Sequence, residues 1–432
     1  MDGPTDDGPT DDGHAGRGST GDDRTPAGGR ILTLNAGSSS IKFAVYENPG
    51  VEPRLTLAGQ VERIGTEPRI VLRTEKGEVI TDGRPEGGAA DHAAALTAIL
   101  SAVDDATRGG AIAAVGHRVV HGGPRYDRPV ILDDAVIEEL SAFSPFAPLH
   151  QPHNLAGVAA ARAAFPGTPQ VACFDTAFHR GHPWVNDVFA LPRDFYDRGV
   201  RRYGFHGLSY DYISGRLARL APTLHAGRVV VAHLGNGASM CAMQGGRSVG
   251  STMGFSALDG LPMGTRCGQL DPGVLLYLLQ QEAMSVEAIV DLLYKRSGLL
   301  GLSGLSNDMR TLEAATTREA AEAVDYFVFR IRRELGALAA VLGGLDAVVF
   351  TGGIGEHSAT IRARVCEGMG WFGIELDRAA NAAGETVIST SLGRVRVMVL
   401  PTDEEWVIAR AAAAALSGRI GSPAGMPDPT TI

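Results

Sequence analysis

The chain of 432 residues has little cysteine: four residues, at 173, 241, 267 and 366. No two form a CxxC unit, which argues against a cysteine zinc site. Such sparse use fits a reducing compartment, so a cytoplasmic location is expected. Long apolar runs are missing too, and none approaches the roughly 18–20 residues of a membrane span. The first residues carry no apolar h-region, so no secretory signal is expected. Nor is there an excess of basic charge. Thirty-nine Lys and Arg face 49 Asp and Glu, a net charge of −10. That balance speaks against nucleic acid or anionic membrane as a main partner. None of the three glycine loops, at 35–42, 233–239 and 352–358, matches GxxxxGK[ST] or GxGxxG, so none of them is a P-loop or a Rossmann fingerprint.

The composition that remains, 44% hydrophobic and 20% charged, excludes a wholly disordered chain, a collagen and a coiled coil. The length suits two to three domains with a sizeable core. Residues 1–29 stand apart, with GPTDD at 3–7 repeated at 8–12. Seven Asp against two Arg give that stretch −5, half the net charge. It has too little apolar surface to offset ordering entropy and reads as a disordered acidic tail. Residues 418–432 read as a second flexible tail.

Between the tails, strand and helix patterns alternate. RILTLN (30–35) and IKFAVYE (41–47) are strand-like runs joined by a Gly/Ser turn. Helical patterns cover 90–103, 153–165, 318–342 and 404–416, and strand patterns cover 114–121, 170–175, 228–235, 239–243, 346–350 and 395–400. Largely buried strands among helices point to an α/β fold. One unit occurs twice: a strand, a Gly/Asn/Ser turn, then a second strand, at Asn35–Ser40 and again at Gly235–Ser239. That suggests a duplicated α/β unit. A third loop, TGGIGE (351–356), lies between a strand and a helix.

Such loops suit a polyphosphate, which needs many backbone N–H donors at close range. The first offers Gly37, Ser38, Ser39, Ser40 and Lys42; the second offers His233, Gly235, Asn236 and Gly237; the third offers Gly352, Gly353 and Gly355. Each alone is equally a tight turn. Three together at the ends of buried strands favour ligand binding, because α/β sheets bind ligands at strand carboxyl ends.

LTLNAGSSSIK (32–42) and FDTAFH (174–179) resemble the two signature segments of the acetate kinase family. Further segments resemble it in family order: GHRVVHGG (116–123), APLHQPHN (147–154), RYGFHG (202–207), AHLGNG (232–237), GLPMGTRCGQLDPG (260–273), LSNDMR (305–310), FTGGIGE (350–356) and PTDEE (401–405). The resemblance spans about 30–415. It implies a duplicated actin-like fold, with two domains around a nucleotide cleft. The first domain would be 30–178, completed by the last helix over 404–417; the second, nucleotide-binding domain would be 179–403. The implied reaction is reversible transfer of the ATP γ-phosphoryl group to acetate, giving acetyl phosphate and ADP. A homodimer is implied by the family alone.

The charged residues gain roles from this resemblance. Arg118 lies on an otherwise apolar strand, where a guanidinium needs an anion: a structural carboxylate, or a ligand's carboxylate or phosphoryl oxygen. Arg266 lies in a Gly-flanked loop, where a solvated charge is the ordinary reading. The family implies that both face the reacting group, Arg118 on the carboxylate and Arg266 on the charge that develops. His206 would donate to the transferring oxygens, and His233 would contact phosphate. Asp175 reads alone as a helix N-cap; the family makes it an active-site carboxylate. The acceptor is already ionised at neutral pH, so no general base is needed. Asp175 is therefore expected to orient an arginine or a magnesium shell. Glu404 reads alone as a first-turn Glu; the family assigns it with Asn35 to Mg²⁺, Mn²⁺ being an alternative.

The implied nucleotide residues are Ser38, Ser40, Lys42, His233, Leu234, Gly235, Asn236, Gly237, Asp308, Met309, Arg310, Gly353, Ile354, Gly355, Glu356 and His357. Val120, Leu149, Phe205 and Ala257 would form a small apolar pocket for the substrate methyl. Two positions depart from the family pattern. Ala257 stands where many relatives have proline, and His357 where many have asparagine. The first bears on acetate against propionate, since one methylene is worth only roughly 1–3 kcal/mol. An actin-like nucleotide switch is the rival from another class, but it has no use for a methyl pocket beside two arginines.

Overall fold

The computed structural model describes residues 29–420 except 38, 49, 51, 108 and 149. The expected tails therefore lie almost wholly outside the described residues, as do Ser38 and Leu149.

Two sheets organise the chain. The first contains β1 (Arg30–Ala36), β2 (Ser40–Glu47), β3 (Arg54–Glu62), β4 (Arg69–Thr74), β5 (Val79–Gly83), β6 (Ile112–Val119), β7 (Val130–Ile131) and β8 (Gln170–Phe174). The second contains β9 (Arg228–Leu234), β10 (Ala238–Gln244), β11 (Arg247–Ser251), β12 (Ala347–Thr351) and β13 (Arg396–Val399). The orders are β5-β4-β3-β2-β1-β6-β8-β7 and β11-β10-β9-β12-β13. Three antiparallel strands, β3-β2-β1, continue into two parallel ones, β6 and β8. The second sheet repeats that plan strand for strand, as β11-β10-β9 followed by β12 and β13. The duplication expected from the two hairpins is thus a duplication of a five-strand frame.

Helices cover these sheets where their apolar spacing dictates. Helix Arg318–Leu342 buries Ala320, Val324, Phe327, Ile331, Leu335 and Leu338, at spacings of three and four. Thr317 caps its start, and Gly343, at φ +68°, ends it. Its apolar face packs with Val230, Ala232, Met240 and Val348 of the second sheet. Helix Glu404–Leu416 returns to the first sheet, burying Val407, Ile408 and Ala412 against Ile31, Ala114 and Val171. Gly116 of β6 makes the close approach fit, since a Cβ there would lie 2.5 Å from the Ile408 side chain.

Helix Gly207–Leu220 is shared by both halves. Leu208 packs with the first sheet's core, and Tyr210, Ile213 and Leu217 pack with Val229, Val231 and Val349 of the second. It therefore carries whatever precedes it into the space between the sheets. The third glycine loop is a helix rather than a loop: Gly352–His357 forms one and a half turns directly after β12. Gly352 sits at φ +76°, beyond the ordinary reach of side-chain-bearing residues. No helix among the described residues is long and apolar enough to cross a membrane.

Candidate active site

The first sheet supplies one wall. Arg118 lies near the end of β6, and Asp175 directly follows the neighbouring parallel strand β8. Parallel pairing brings the two ends together. Arg118 Nε donates to Asp175 Oδ1 at 2.8 Å, and Nη2 donates to Oδ2. Nη1 donates to Asn35 Oδ1 at 3.2 Å, on β1. Asp175 is only 1% exposed, so the pair is a buried, bidentate clamp on the arginine plane. Asp175 thus orients an arginine, one of the two roles foreseen for it, and caps no helix.

Glu404 begins the last helix behind Asp403, whose side chain is the true cap, accepting from Trp406 N. The Glu404 carboxyl is half-buried, and burial first, then Asp175 and Glu405, push it well above the usual carboxylate range. Arg118 and Lys42 work against that rise, which places both within electrostatic reach. Among the described residues no salt bridge or side-chain hydrogen bond engages Glu404. Lys42 is exposed on β2, and the turn before it closes through Gly37 N to Ser40 O at 2.8 Å.

The second sheet supplies the other wall. His233, at the end of β9, accepts or donates through Nδ1 to Ser209 Oγ at 2.8 Å. Its ring stacks on His206 at 4.4 Å between centroids. His206 precedes helix Gly207–Leu220 with φ +58°, a left-handed conformation unusual for a non-glycine residue. Its Nδ1 lies 2.9 Å from Ser239 Oγ, which is 2.6 Å from the Tyr210 hydroxyl. Gly237 is where this wall converges: a Cβ there would lie 3.0 Å from Arg266 Nη2 and 3.2 Å from His206 Nε2. The absent side chain leaves both tips facing one small space. Arg266 donates Nη1 to the Ala257 carbonyl at 2.8 Å, and no carboxylate among the described residues pairs with it.

The wall is positive but not multiply charged. Burial holds His206 well below its ordinary value, with His233, Arg118 and Arg266 adding to the effect. Burial followed by Arg118 lowers His233 to about 4. Burial, Arg266 and Arg118 lower His150 to about 4, so His150 belongs to the same neighbourhood. These imidazoles are neutral near pH 7.

Beyond Gly237 opens a cavity of about 490 Å³, lined in part by Gly235, Asn236, Asp308, Met309, Arg310, Gly353, Ile354 and His357. Asp308 caps helix Met309–Ala314 and pairs with Arg310 at 2.6 Å. Asn307, within LSNDMR, and Glu313 and Ser358 also line the cavity, and none of the three is among the expected nucleotide residues. Other expected residues do not line it. Leu234 is wholly buried in the core. Gly355 is buried under β12, where a Cβ would meet Phe350 and the Ala232 carbonyl. Glu356 turns inward: one carboxylate oxygen accepts from Gly352 N at 2.8 Å and Thr402 N at 3.1 Å. It ties the glycine helix to the segment carrying Glu404. Val120, Phe205 and Ala257 share one apolar cluster, as a methyl pocket requires. Asn154, missed in sequence, holds Val120 N at 2.9 Å and the Ala36 carbonyl at 2.6 Å.

A duplicated α/β frame whose paired hairpins face arginines, neutral imidazoles and a nucleotide-sized cavity defines a phosphotransferase of the actin-like class. More narrowly, this chain belongs to the acetokinase family, which matches residues 30–410. A protein of Methylocella silvestris named acetate kinase is 60% identical over 388 residues, 88% of this chain and 96% of its own. The acetate kinase of Porphyromonas gingivalis superposes with a TM-score of 0.81 at 38% identity, covering 90% of this chain and all of the other. A propionate kinase of Francisella tularensis superposes at 0.82 with 36% identity, over 89% and 98% of the two chains.

Proposed function

We propose that this chain transfers the ATP γ-phosphoryl group directly and reversibly to the carboxylate of acetate. The observation that carries the reading is Arg266: a half-buried guanidinium without a carboxylate, aimed with His206 past Gly237. Such a charge is costly until an anion arrives, and a phosphoryl group in flight is the anion that fits between it and Arg118.

Each residue then has a task. Arg118, held flat by Asp175, receives the acetate carboxylate. Val120, Phe205 and Ala257 take its methyl. Gly235, Asn236 and Gly237 offer backbone donors to the phosphates. Asp308, Arg310, Gly353 and His357 flank adenosine. With Tyr210 donating to Ser239, and Ser239 to His206 Nδ1, the Nε2 proton would face the cleft. His206 thus donates as a neutral imidazole, and Arg266 takes the charge that develops on the equatorial oxygens. Catalysis is positioning and electrostatics, with no phosphoenzyme.

The donor set fits Mg²⁺. Glu404, which shares the neighbourhood of Arg118 with Asn35, would supply a carboxylate oxygen and Asn35 an amide oxygen, and Mg²⁺ needs only one or two protein oxygens. No group of three or more His, Cys, Asp or Glu stands ready as an all-protein cage among the described residues. When bound, the ion neutralises phosphate oxygens and orients them. Closure of domain 179–403 on 30–178 would exclude water from the transfer.

A homodimer belongs to this reading. Helix Pro272–Gln280 (PGVLLYLLQ) buries no residue, and Leu276 and Tyr277 are 55% and 52% exposed. Val286, on the helix that follows and packs with it, is also exposed, as is Phe329 of helix Arg318–Leu342. A cytoplasmic location agrees with the four cysteines, all free. The test is formation of acetyl phosphate from ATP, acetate and Mg²⁺, trapped as the hydroxamate. Acetate-dependent product well above that with propionate is expected. Greater product with propionate would move the specificity, and acid-independent ATP hydrolysis alone would overturn the reading.

A further inference from the structure

A buried polar cluster lies behind the catalytic wall, and no role above uses it. The segment FHRGH (178–182), with Asp187 and Ser248, wraps the segment RYGFH (202–206). His179 Nε2 lies 2.9 Å from the Phe205 carbonyl. Arg180 Nη2 donates to the carbonyls of Arg202 and Tyr203 at 3.1 and 3.0 Å. Arg202 N donates to the Asp187 carbonyl at 2.7 Å. Three carbonyls just before His206 are therefore held by side chains from one neighbouring segment.

The contacts continue inward from His179. Its Nδ1 is 2.8 Å from Ser248 Oγ, and His182 Nε2 is 2.7 Å from the same oxygen. The line ends there: His182 Nδ1 lies 3.3 Å from Asp187 Oδ1, but the two make no hydrogen bond. The Phe205 carbonyl dictates every proton in the line. A carbonyl only accepts, so His179 Nε2 carries hydrogen. The ring is buried and neutral, so its Nδ1 accepts from the Ser248 hydroxyl. Ser248 has then spent its only hydrogen, and His182 Nε2 must donate to it. The line runs in one direction, from His182 to the residue before His206.

The backbone there needs support. Gly204 and His206 have φ of +73° and +58°, two left-handed residues around Phe205. A Cβ at Gly204 would lie 2.5 Å from the His179 ring, so the ring fills the hollow beneath the turn. Left-handed non-glycine residues persist only where their surroundings over-determine them.

We propose that His182, Ser248 and His179 form a positioning relay. It holds the Phe205 carbonyl, and with it the Phe205 ring in the methyl pocket and the His206 ring on the phosphoryl path. The relay rests on the reading of His206 as a donor in transfer.

The test is a double-mutant cycle between Ser248 and His206. Ser248→Ala breaks the line at its centre and touches no substrate. Turnover should fall about 10- to 100-fold, as sub-ångström misplacement of catalytic groups does. The acetate KM should rise several-fold, while the ATP KM stays within twofold, because the adenosine cavity lies elsewhere. In a His206→Ala background, Ser248→Ala should no longer change kcat. His182→Gln, which keeps an N–H donor for Ser248, should restore most of the turnover lost in His182→Ala. An equal kcat loss in both backgrounds would mean a general structural role and overturn the relay. So would unchanged kcat and acetate KM in folded Ser248→Ala. If His206→Ala itself keeps full turnover, the donor reading fails separately, and the acetate KM of Ser248→Ala still decides whether the relay holds Phe205.

Discussion

The two halves of the molecule share a strand plan and use it differently. In the first, the strand ends present a finished ion pair: Arg118 has its carboxylate, and Asp175 is spent on it. In the second, the corresponding hairpin presents neutral rings, bare backbone and Arg266, which among the described residues donates to a carbonyl and pairs with no carboxylate. One wall is pre-neutralised and rigid. The other keeps unsatisfied positive potential for an anion that comes and goes. On the proposed mechanism, a phosphoryl group passing between them would meet orientation on one side and charge on the other.

The sharpest way to break this contrast is to remove each arginine in turn. Arg118→Ala and Arg266→Ala should each lower turnover roughly 10³-fold or more, by analogy with arginines that stabilise phosphoryl transfer. Their stabilities should part. Arg118→Ala strands a buried Asp175, a loss of about 3–5 kcal/mol when one member of a buried pair is removed. Arg266→Ala removes a charge that burial already opposes, so its Tm should hold or rise. Thermal unfolding of both variants checks this, and equal losses would dissolve the distinction between the walls.

Glu404 gives the next largest effect. Its folded-state value lies above its unfolded one, so the metal-free folded protein holds more protons between the two. Stability is therefore lost as pH rises from the ordinary carboxylate range through the raised value. Glu404→Gln removes that loss, so its Tm relative to wild type should climb with pH in the absence of Mg²⁺. Its Mg²⁺-dependent turnover should collapse. In the wild type, Mg²⁺ should bind more weakly as acid protonates Glu404. The acid limb should not come from His233 or His150, which stay neutral down to about 4. A pH–rate profile at saturating Mg²⁺, flat from about pH 5 to 7, checks the histidines.

Two smaller effects follow. Leu276→Asp, on the unburied helix, should halve the sedimenting mass with little change in Tm. Ala257→Pro should shift the acetate-to-propionate ratio of kcat/KM by no more than roughly 1–3 kcal/mol.

Much of this frame is legible in the sequence because local rules decide it. The bounds of helices Arg318–Leu342 and Glu404–Leu416 follow from apolar spacing and caps, and both agree with the expected ranges. The paired hairpins announce the duplication. What sequence leaves hidden depends on long-range pairing. Arg118 and Asp175 are 57 residues apart, and only parallel pairing of β6 with β8 makes them partners. Glu356 sits in a segment full of candidate ligands, yet one of its carboxylate oxygens accepts from two backbone donors in different segments. Asn307, Glu313 and Ser358 reach the cavity only through tertiary placement. The His182–Ser248 contact spans 66 residues and obeys no local pattern.

The most direct test of the account separates ATP binding from transfer in Arg266→Ala. If Arg266 serves the charge that develops in transfer, the ATP Kd of the variant stays within a few-fold of wild type while acetate-dependent turnover falls about 10³-fold. Turnover near wild type, or an ATP affinity that falls in step with turnover, would contradict it.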